Sequence, residues 1–242
     1  MPNGSGNRWT RRQHAGNSKV ASGIRCAASV DLRAVRTDDF PASAPPCALG
    51  PALPAGSEGE FSILAVCTGN VCRSPAVERL LSGKLGAPVR VSSAGTHALV
   101  SHPISPQMAE LLGEGGVDGP PFEARRLSED LLKAADLVLP MTRAQRGIVV
   151  QMWPAAVRRT FTLREFARLL SRVDPAALPE GTPAERLRAA VPLAAAERGG
   201  ARKSPDEDDV IDPFRLSDEV YATSFRQITS AVDAIVGALL PA

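Results

Sequence analysis

At 242 residues the chain has room for one domain plus an extension. Its hydrophobic content of 44% suits a globular protein, and no apolar run approaches the ~18 residues of a membrane-spanning helix, which excludes an integral helical membrane protein. A net charge of +2 leaves no electrostatic footprint for nucleic acid, and four cysteines are too few for a disulfide scaffold.

Residues 1–58 carry seven basic and four acidic side chains and only eight Leu, Ile, Val or Phe, too few to bury a core. With six Gly, six Pro and six Ser, the stretch reads as a disordered, basic extension. Arg8, Arg11, Arg12 and Lys19 open it, but no apolar core follows, which argues against a secretory signal. An organelle transit peptide stays open as a reading.

Residues 59–242 read as the folded domain. Phe61–Val66 is a short apolar run, expected as a buried strand. Ser74-Pro75 is expected to open a helix with Val77, Leu80 and Leu81 on one face. A second strand is expected over Val89–Ser92, a helix near Ser105–Leu112, a short helix capped by Ser128, and a third strand over Asp136–Pro140. Thr142…Gln145, Thr162…Glu165 and Thr182…Glu185 match the capping box. Residues 171–209 form an Ala/Arg/Pro-rich stretch, expected as a helix near 182–197 and an exposed acidic loop. Tyr221, Phe225, Ile228, Val232, Ile235 and Leu239 space as one amphipathic helix packing on the sheet. Strands alternating with helices predict an α/β three-layer sandwich: a small, about four-stranded parallel sheet with helices on both faces. Such sheets bind ligands at the carboxyl ends of their strands, and the first strand ends at Cys67.

Residues 67–74 read Cys-Thr-Gly-Asn-Val-Cys-Arg-Ser. A loop of this length between a strand and a helix turns successive N–H groups inward as an anion nest, with the helix dipole behind it. Gly69 and Asn70 tolerate left-handed backbone, and Arg73 offers a planar fork for two phosphate oxygens. Cys67, facing that positive field, is expected as a thiolate, and Ser74 is expected to cap the helix or donate to the sulfur. The alternative is a structural cysteine and a solvated arginine. No Walker phosphate loop is present. Pro213 biases Asp212 to extended backbone, able to project a carboxylate from a loop.

The stretch Val66–Glu78 (VCTGNVCRSPAVE) resembles the active-site signature of the low molecular weight protein tyrosine phosphatases. Ser93–Thr96, Ala134–Arg146 and Val210–Phe214 resemble later segments of that family, so the likeness spans about residues 61–240. The resemblance implies that Cys67 is the nucleophile, Arg73 the phosphate clamp and Asp212 the general acid. Thr68, Gly69, Asn70, Val71, Cys72 and Ser74 would form the phosphate loop, and Phe214 would flank an aryl group. It also implies Cys72 as a partner that captures oxidised Cys67 in a reversible disulfide. Three segments depart from the family pattern: Phe214 is followed by Arg215 rather than a second aromatic, Phe122–Arg126 stands where relatives often have His then Arg, and residues 171–209 form the long Ala/Arg/Pro-rich stretch.

The implied reaction is hydrolysis of phosphotyrosine on proteins through a cysteinyl-phosphate, with no cofactor or metal, by a cytoplasmic monomer that binds neither nucleic acid nor membrane. His97 and His102 read as surface-loop residues, and no His/Cys cluster has zinc spacing. Competing readings are an arsenate reductase of the same architecture, a phosphoarginine phosphatase and a catalytically dead phosphate-binding module. Against the first, no cysteine follows Cys72; against the second, Val71 stands where those members have Thr; against the third, both Cys67 and Asp212 are present.

Overall fold

The central strand β1 (Phe61–Cys67) is buried on both sides. Its odd residues Phe61, Ile63, Ala65 and Cys67 join one hydrophobic core, and Leu64 and Val66 join a second. A strand covered on both faces cannot alternate polar and apolar residues, which is why the run reads as continuously apolar. The computed structural model describes residues 59–117, 119–200 and 205–240, so the reading of residues 1–58 lies outside the described residues.

Helix α1 (Arg73–Leu85) follows β1 and ends at Gly86, whose φ of 60° and ψ of −167° suit glycine. Strand β2 (Val89–Gly95) pairs in parallel with the whole of β1, from Phe61↔Val89 to Cys67↔Gly95. It runs three residues beyond the expected Ser92. Helices α2 (Pro106–Glu114) and α3 (Glu129–Ala134) lead to β3 (Leu137–Pro140), parallel to β1 on its other side. Asp136, expected as the first residue of that strand, instead accepts hydrogen bonds from Ser62 N at 2.8 Å and Ser62 Oγ at 2.9 Å.

The sheet order is β2-β1-β3. The expectation of about four strands is corrected to three among the described residues, with a single parallel bridge from Val138 to Thr160 at the fourth place. The chain makes one ladder bond there, Phe161 N to Val138 O at 3.1 Å, and Thr162 then caps the next helix.

Helix α4 (Arg143–Met152) and α3 cover the face of Leu64 and Val66. The opposite face receives α1, α2, α5 (Leu163–Leu170), α6 (Pro183–Ala196) and, after the short α7 (Pro205–Asp208), the long α8 (Asp218–Leu239). All three expected capping boxes form, with both the backbone and the side-chain half of each present. Helix α8 buries Tyr221, Ile228, Val232, Ile235 and Leu239, but its main neighbours are α1 and α5, not the strands. Helix α6 adds Ala184, Leu187, Ala190 and Ala194 to the larger core. The Arg188 side chain of α6 donates to Glu60 O at 2.7 Å, tying that helix to the start of β1.

Candidate active site

The loop between β1 and α1 is held from outside by its carbonyls. Thr96 N donates to Cys67 O and His97 N to Thr68 O, both at 2.9 Å. Leu99 N donates to Gly69 O at 3.0 Å and Ser105 N to Val71 O at 2.7 Å. With these carbonyls turned outward, the N–H groups of Gly69, Val71 and Cys72 have no backbone acceptor among the described residues. Amides arranged in this way at the start of a helix form an anion site. Gly95 makes the close approach possible, because a Cβ there would lie 2.5 Å from Thr68 O and 3.0 Å from Asn70 Cβ.

The Cys67 sulfur is buried and accepts two hydrogen bonds, from Ser74 Oγ at 3.0 Å and Asn70 N at 3.2 Å. Helix α1 begins at Arg73 with Cys72 at its N-cap, so Pro75 is its third residue and Ser74 donates to the sulfur rather than capping. Asn70 has φ of 56°, the left-handed conformation its residue type tolerates, and its side chain is the hub of the loop. Its Oδ1 accepts from Arg125 N at 2.8 Å, which fixes the amide so that Nδ2 donates to Ser74 Oγ at 3.0 Å and Ser93 Oγ at 2.8 Å. Ser93 in turn donates to Glu78 Oε2 at 2.6 Å.

A consistent direction of donation therefore runs toward both ends, and the single Ser74 hydroxyl hydrogen has Cys67 Sγ at 3.0 Å as its near acceptor, against Ala94 O at 3.5 Å. Burial pushes the Glu78 carboxyl up, against the Ser93 hydroxyl and the nearby Arg125 charge, which pull it down. Burial lowers Arg125, offset in part by Glu78. On the other flank, Gln145 Nε2 donates to Thr68 Oγ1 at 3.0 Å while its Oε1 accepts from Met141 N and Thr142 N.

Arg73 is 2% exposed, and its Nε has no partner among the described residues, leaving a donor for an oxyanion. Its Nη1 donates to Val210 O at 3.2 Å, and its Nη2 is paired with Asp212 Oδ2. Asp212 Oδ1 accepts from Phe214 N at 3.2 Å, closing the Asp-Pro turn on itself. Its side chain is half exposed, so the second oxygen reaches both Arg73 and solvent. Phe214 is also half exposed, with the Arg215 guanidinium 5.1 Å from its ring centroid. Leu99, beside Gly69, is exposed, as are Ile211 and Leu216 on either side of the Asp212–Phe214 turn in the chain.

Cys72 is buried, with its Sγ 3.2 Å from Ser105 Oγ and 3.6 Å from Tyr221 OH. Burial pushes its thiol up despite those two contacts. Both Cys67 and Cys72 are free thiols. His97 and His102 are exposed, as the sequence suggested.

The acidic stretch before Asp212 is not the exposed loop expected. Asp208 is 2% exposed and paired with Arg143 and Arg168. Sequence reading named Cys67, Asn70, Arg73, Ser74 and Asp212, and the structure brings them together. It missed Glu78, Ser93, Gly95, Arg125 and Gln145 as supports of the loop, although all five lie inside segments singled out for other reasons.

The family model "Low molecular weight phosphotyrosine protein phosphatase" matches residues 62–177. A low molecular weight protein-tyrosine-phosphatase of Escherichia coli is 36% identical over 114 residues, which are 47% of this chain and 76% of that protein. A protein-arginine-phosphatase of Geobacillus stearothermophilus is 37% identical over 131 residues, 54% of this chain and 86% of that protein. Among solved structures, a low molecular weight protein tyrosine phosphatase from T. tengcongensis aligns with a TM-score of 0.54 at 28% identity, over 73% of this chain and 98% of that one. The sheet order, the loop at Cys67 and these likenesses agree: this chain belongs to the low molecular weight protein-tyrosine-phosphatase family.

Proposed function

We propose that this chain hydrolyses phosphotyrosine in proteins through a cysteinyl-phosphate on Cys67, and that residues 59–242 are its catalytic domain. The observation that carries the reading is the convergence of three groups. The Cys67 sulfur receives two hydrogen bonds, Arg73 stands buried beside the nest, and Asp212 is paired with that same Arg73. An oxyanion held by Arg73 and the loop amides has its remaining oxygen next to Asp212.

In the first step the Cys67 thiolate attacks phosphorus, the bond to the phenolic oxygen breaks, and protonated Asp212 gives its proton to that oxygen. Arg73 and the amides of Gly69, Val71 and Cys72 hold the non-bridging oxygens as charge builds on them. The hydroxyl of Ser74 stabilises the sulfur anion at the start and again when it leaves. In the second step Asp212, now ionised, takes a proton from water as that water attacks phosphorus, and the S–P bond breaks to give inorganic phosphate and the thiolate. Thr68 and Asn70 hold the loop through Gln145 and Ser93 respectively.

Phe214, bonded to Asp212 through its N–H, and Leu99, beside Gly69, are exposed apolar side chains next to the site and suit a phenyl ring. A cysteine nucleophile works only while reduced, and on that ground the cytoplasm is the proposed location. Val71 presents no hydroxyl to a guanidino group, which favours the aryl substrate over phosphoarginine. The test is phosphate release from phosphotyrosine, phosphoserine and phosphoarginine peptides of one sequence, with arsenate-dependent thiol consumption in parallel. We expect the phosphotyrosine peptide to lead in kcat/KM by about tenfold or more, ~1.4 kcal/mol of discrimination. A faster phosphoarginine peptide, or thiol consumption without phosphate release, would overturn the reading.

A further inference from the structure

The acid-bearing loop has an anchor that the reaction itself does not use. Asp208 is the most buried carboxylate among the described residues, and it is the last residue of α7, after the stretch that contains α6. Its Oδ2 accepts from Arg143 Nη2 at 2.6 Å and Arg168 Nη2 at 3.2 Å, and its Oδ1 from Arg168 Nη2 at 3.0 Å and Nε at 3.2 Å. Its own carbonyl accepts from Thr162 Oγ1 at 2.7 Å. Asp209 extends the anchor: its Oδ1 accepts from Arg143 N and its carbonyl from Arg164 Nη1, both at 2.8 Å.

One residue on, Val210 N donates to Met141 O at 2.9 Å while Val210 O accepts from Arg73. Two residues beyond that, Asp212 is on the same guanidinium. The starts of α4 and α5 are therefore connected, through a run of bonded residues, to the atom that delivers the proton. On its far side the loop has other supports, Gln227 Oε1 accepting from Ile211 N and Ser224 Oγ donating to Ile211 O.

We infer that Asp208 is a positioning residue: its charged contacts with Arg143 and Arg168 set where Asp212 meets the leaving oxygen. Asp208→Asn replaces one of the two acceptor oxygens with an NH2 donor facing arginine N–H groups, so charged hydrogen bonds are lost and the near end of the loop loosens. The amides of the phosphate nest take no bond from Asp208 itself, and the links between them are indirect, Arg73 on Val210 O and Gln145 of α4 on Thr68. Loss of the Asp208 charge should therefore degrade proton delivery more than anion binding. A misplacement of about 1 Å can cost ~10²-fold in a step that depends on alignment.

The inference rests on Asp212 being the general acid, so its test carries that variant as a separate arm. Rates of the first, phosphorylating step are measured by rapid mixing for wild type, Asp212→Asn, Asp208→Asn and Arg168→Gln, on phenyl phosphate and p-nitrophenyl phosphate. Sulfate inhibition and thermal midpoints are recorded for each. Nitrophenolate leaves with little help, so loss of proton delivery falls mainly on phenyl phosphate.

Asp212→Asn should lose about 10²–10⁴-fold on phenyl phosphate and clearly less on the nitro compound. Asp208→Asn should lose about 10- to 100-fold on phenyl phosphate and under about threefold on the nitro compound, with sulfate inhibition changed less than about twofold. Arg168→Gln, which keeps Arg143 on Asp208, should show the same pattern more weakly and serves if Asp208→Asn fails to fold. Selective loss in Asp212→Asn but equal loss on both substrates, or none, in the other two variants overturns the positioning role alone. No selectivity in Asp212→Asn overturns the acid assignment and the inference with it.

Discussion

The two loops that meet at Arg73 are built by different means. The phosphate loop, Cys67–Ser74, is supported largely by chain close to it in the sheet: β2 and the turn after it take its carbonyls, and Asn70 ties its interior to Ser93. The loop carrying Asp212 is supported by charged side chains from distant segments, Arg143 and Arg168 on Asp208 and Arg73 on Asp212 itself. The first is a cradle made chiefly of backbone, hydroxyl and amide hydrogen bonds around one sulfur; the second is an ionic suspension whose geometry depends on charge. That division suits the two tasks of the proposed mechanism, in which the cradle keeps its shape through both displacements while Asp212 gives and takes a proton.

Damage to the cradle should be the more severe. Cys67→Ser removes the nucleophile and should cost on the order of 10⁴-fold or more in kcat, with the thermal midpoint nearly unchanged, by phosphate release and calorimetry. Arg73→Lys replaces a fork with a point charge and should lose about 10²–10³-fold in kcat/KM; retention of wild-type kcat/KM would show that Arg73 is not the clamp. Gly95→Ala sets a methyl group against Thr68 O and Asn70 Cβ, and should weaken sulfate inhibition as well as cost about tenfold or more in kcat/KM. A fully active Gly95→Ala would mean that the loop has more freedom than the cradle implies.

The ionic suspension should be visible in stability against pH. Burial alone would raise the Asp208 carboxyl, but hydrogen bonds from Arg143 and Arg168 outweigh it and hold the group below its usual value. A carboxyl lowered in the folded state contributes stability above its unfolded pKa of ~3.9, and that contribution fades as pH falls through the lower folded value. The gap in thermal midpoint between wild type and Asp208→Asn should therefore be widest near neutrality and narrow as pH drops below about 4. A gap independent of pH would assign the loss to packing instead.

What could be read from the sequence follows the same division. The phosphate loop is local, so the order Cys-Thr-Gly-Asn-Val-Cys-Arg-Ser after an apolar run was enough to place the nest, and the capping boxes placed three helices. The acid loop was legible only at Asp212-Pro213. Nothing in a run of acidic residues marks Asp208 as buried, because its arginines lie 65 and 40 residues away. The fourth strand was over-read for a related reason: Thr160 and Phe161 reach the sheet edge, but the capping box at Thr162 turns the chain into α5 after one ladder bond. Likewise Ser74-Pro75 looked like a helix opening, whereas the serine hydroxyl is committed to Cys67 and the helix starts at Arg73.

The central claim is that both displacements pass through a phosphorus–sulfur bond on Cys67. The most direct measurement is acid quenching of Asp212→Asn at millisecond times with ³²P-labelled p-nitrophenyl phosphate, followed by mapping of the labelled peptide. The nitro substrate lets the first step proceed without the acid while the water step stalls. The account predicts close to one label per chain, on the peptide containing Cys67, decaying at the steady-state rate. Label on any other residue, or phosphate release with no labelled protein at any time, would contradict it.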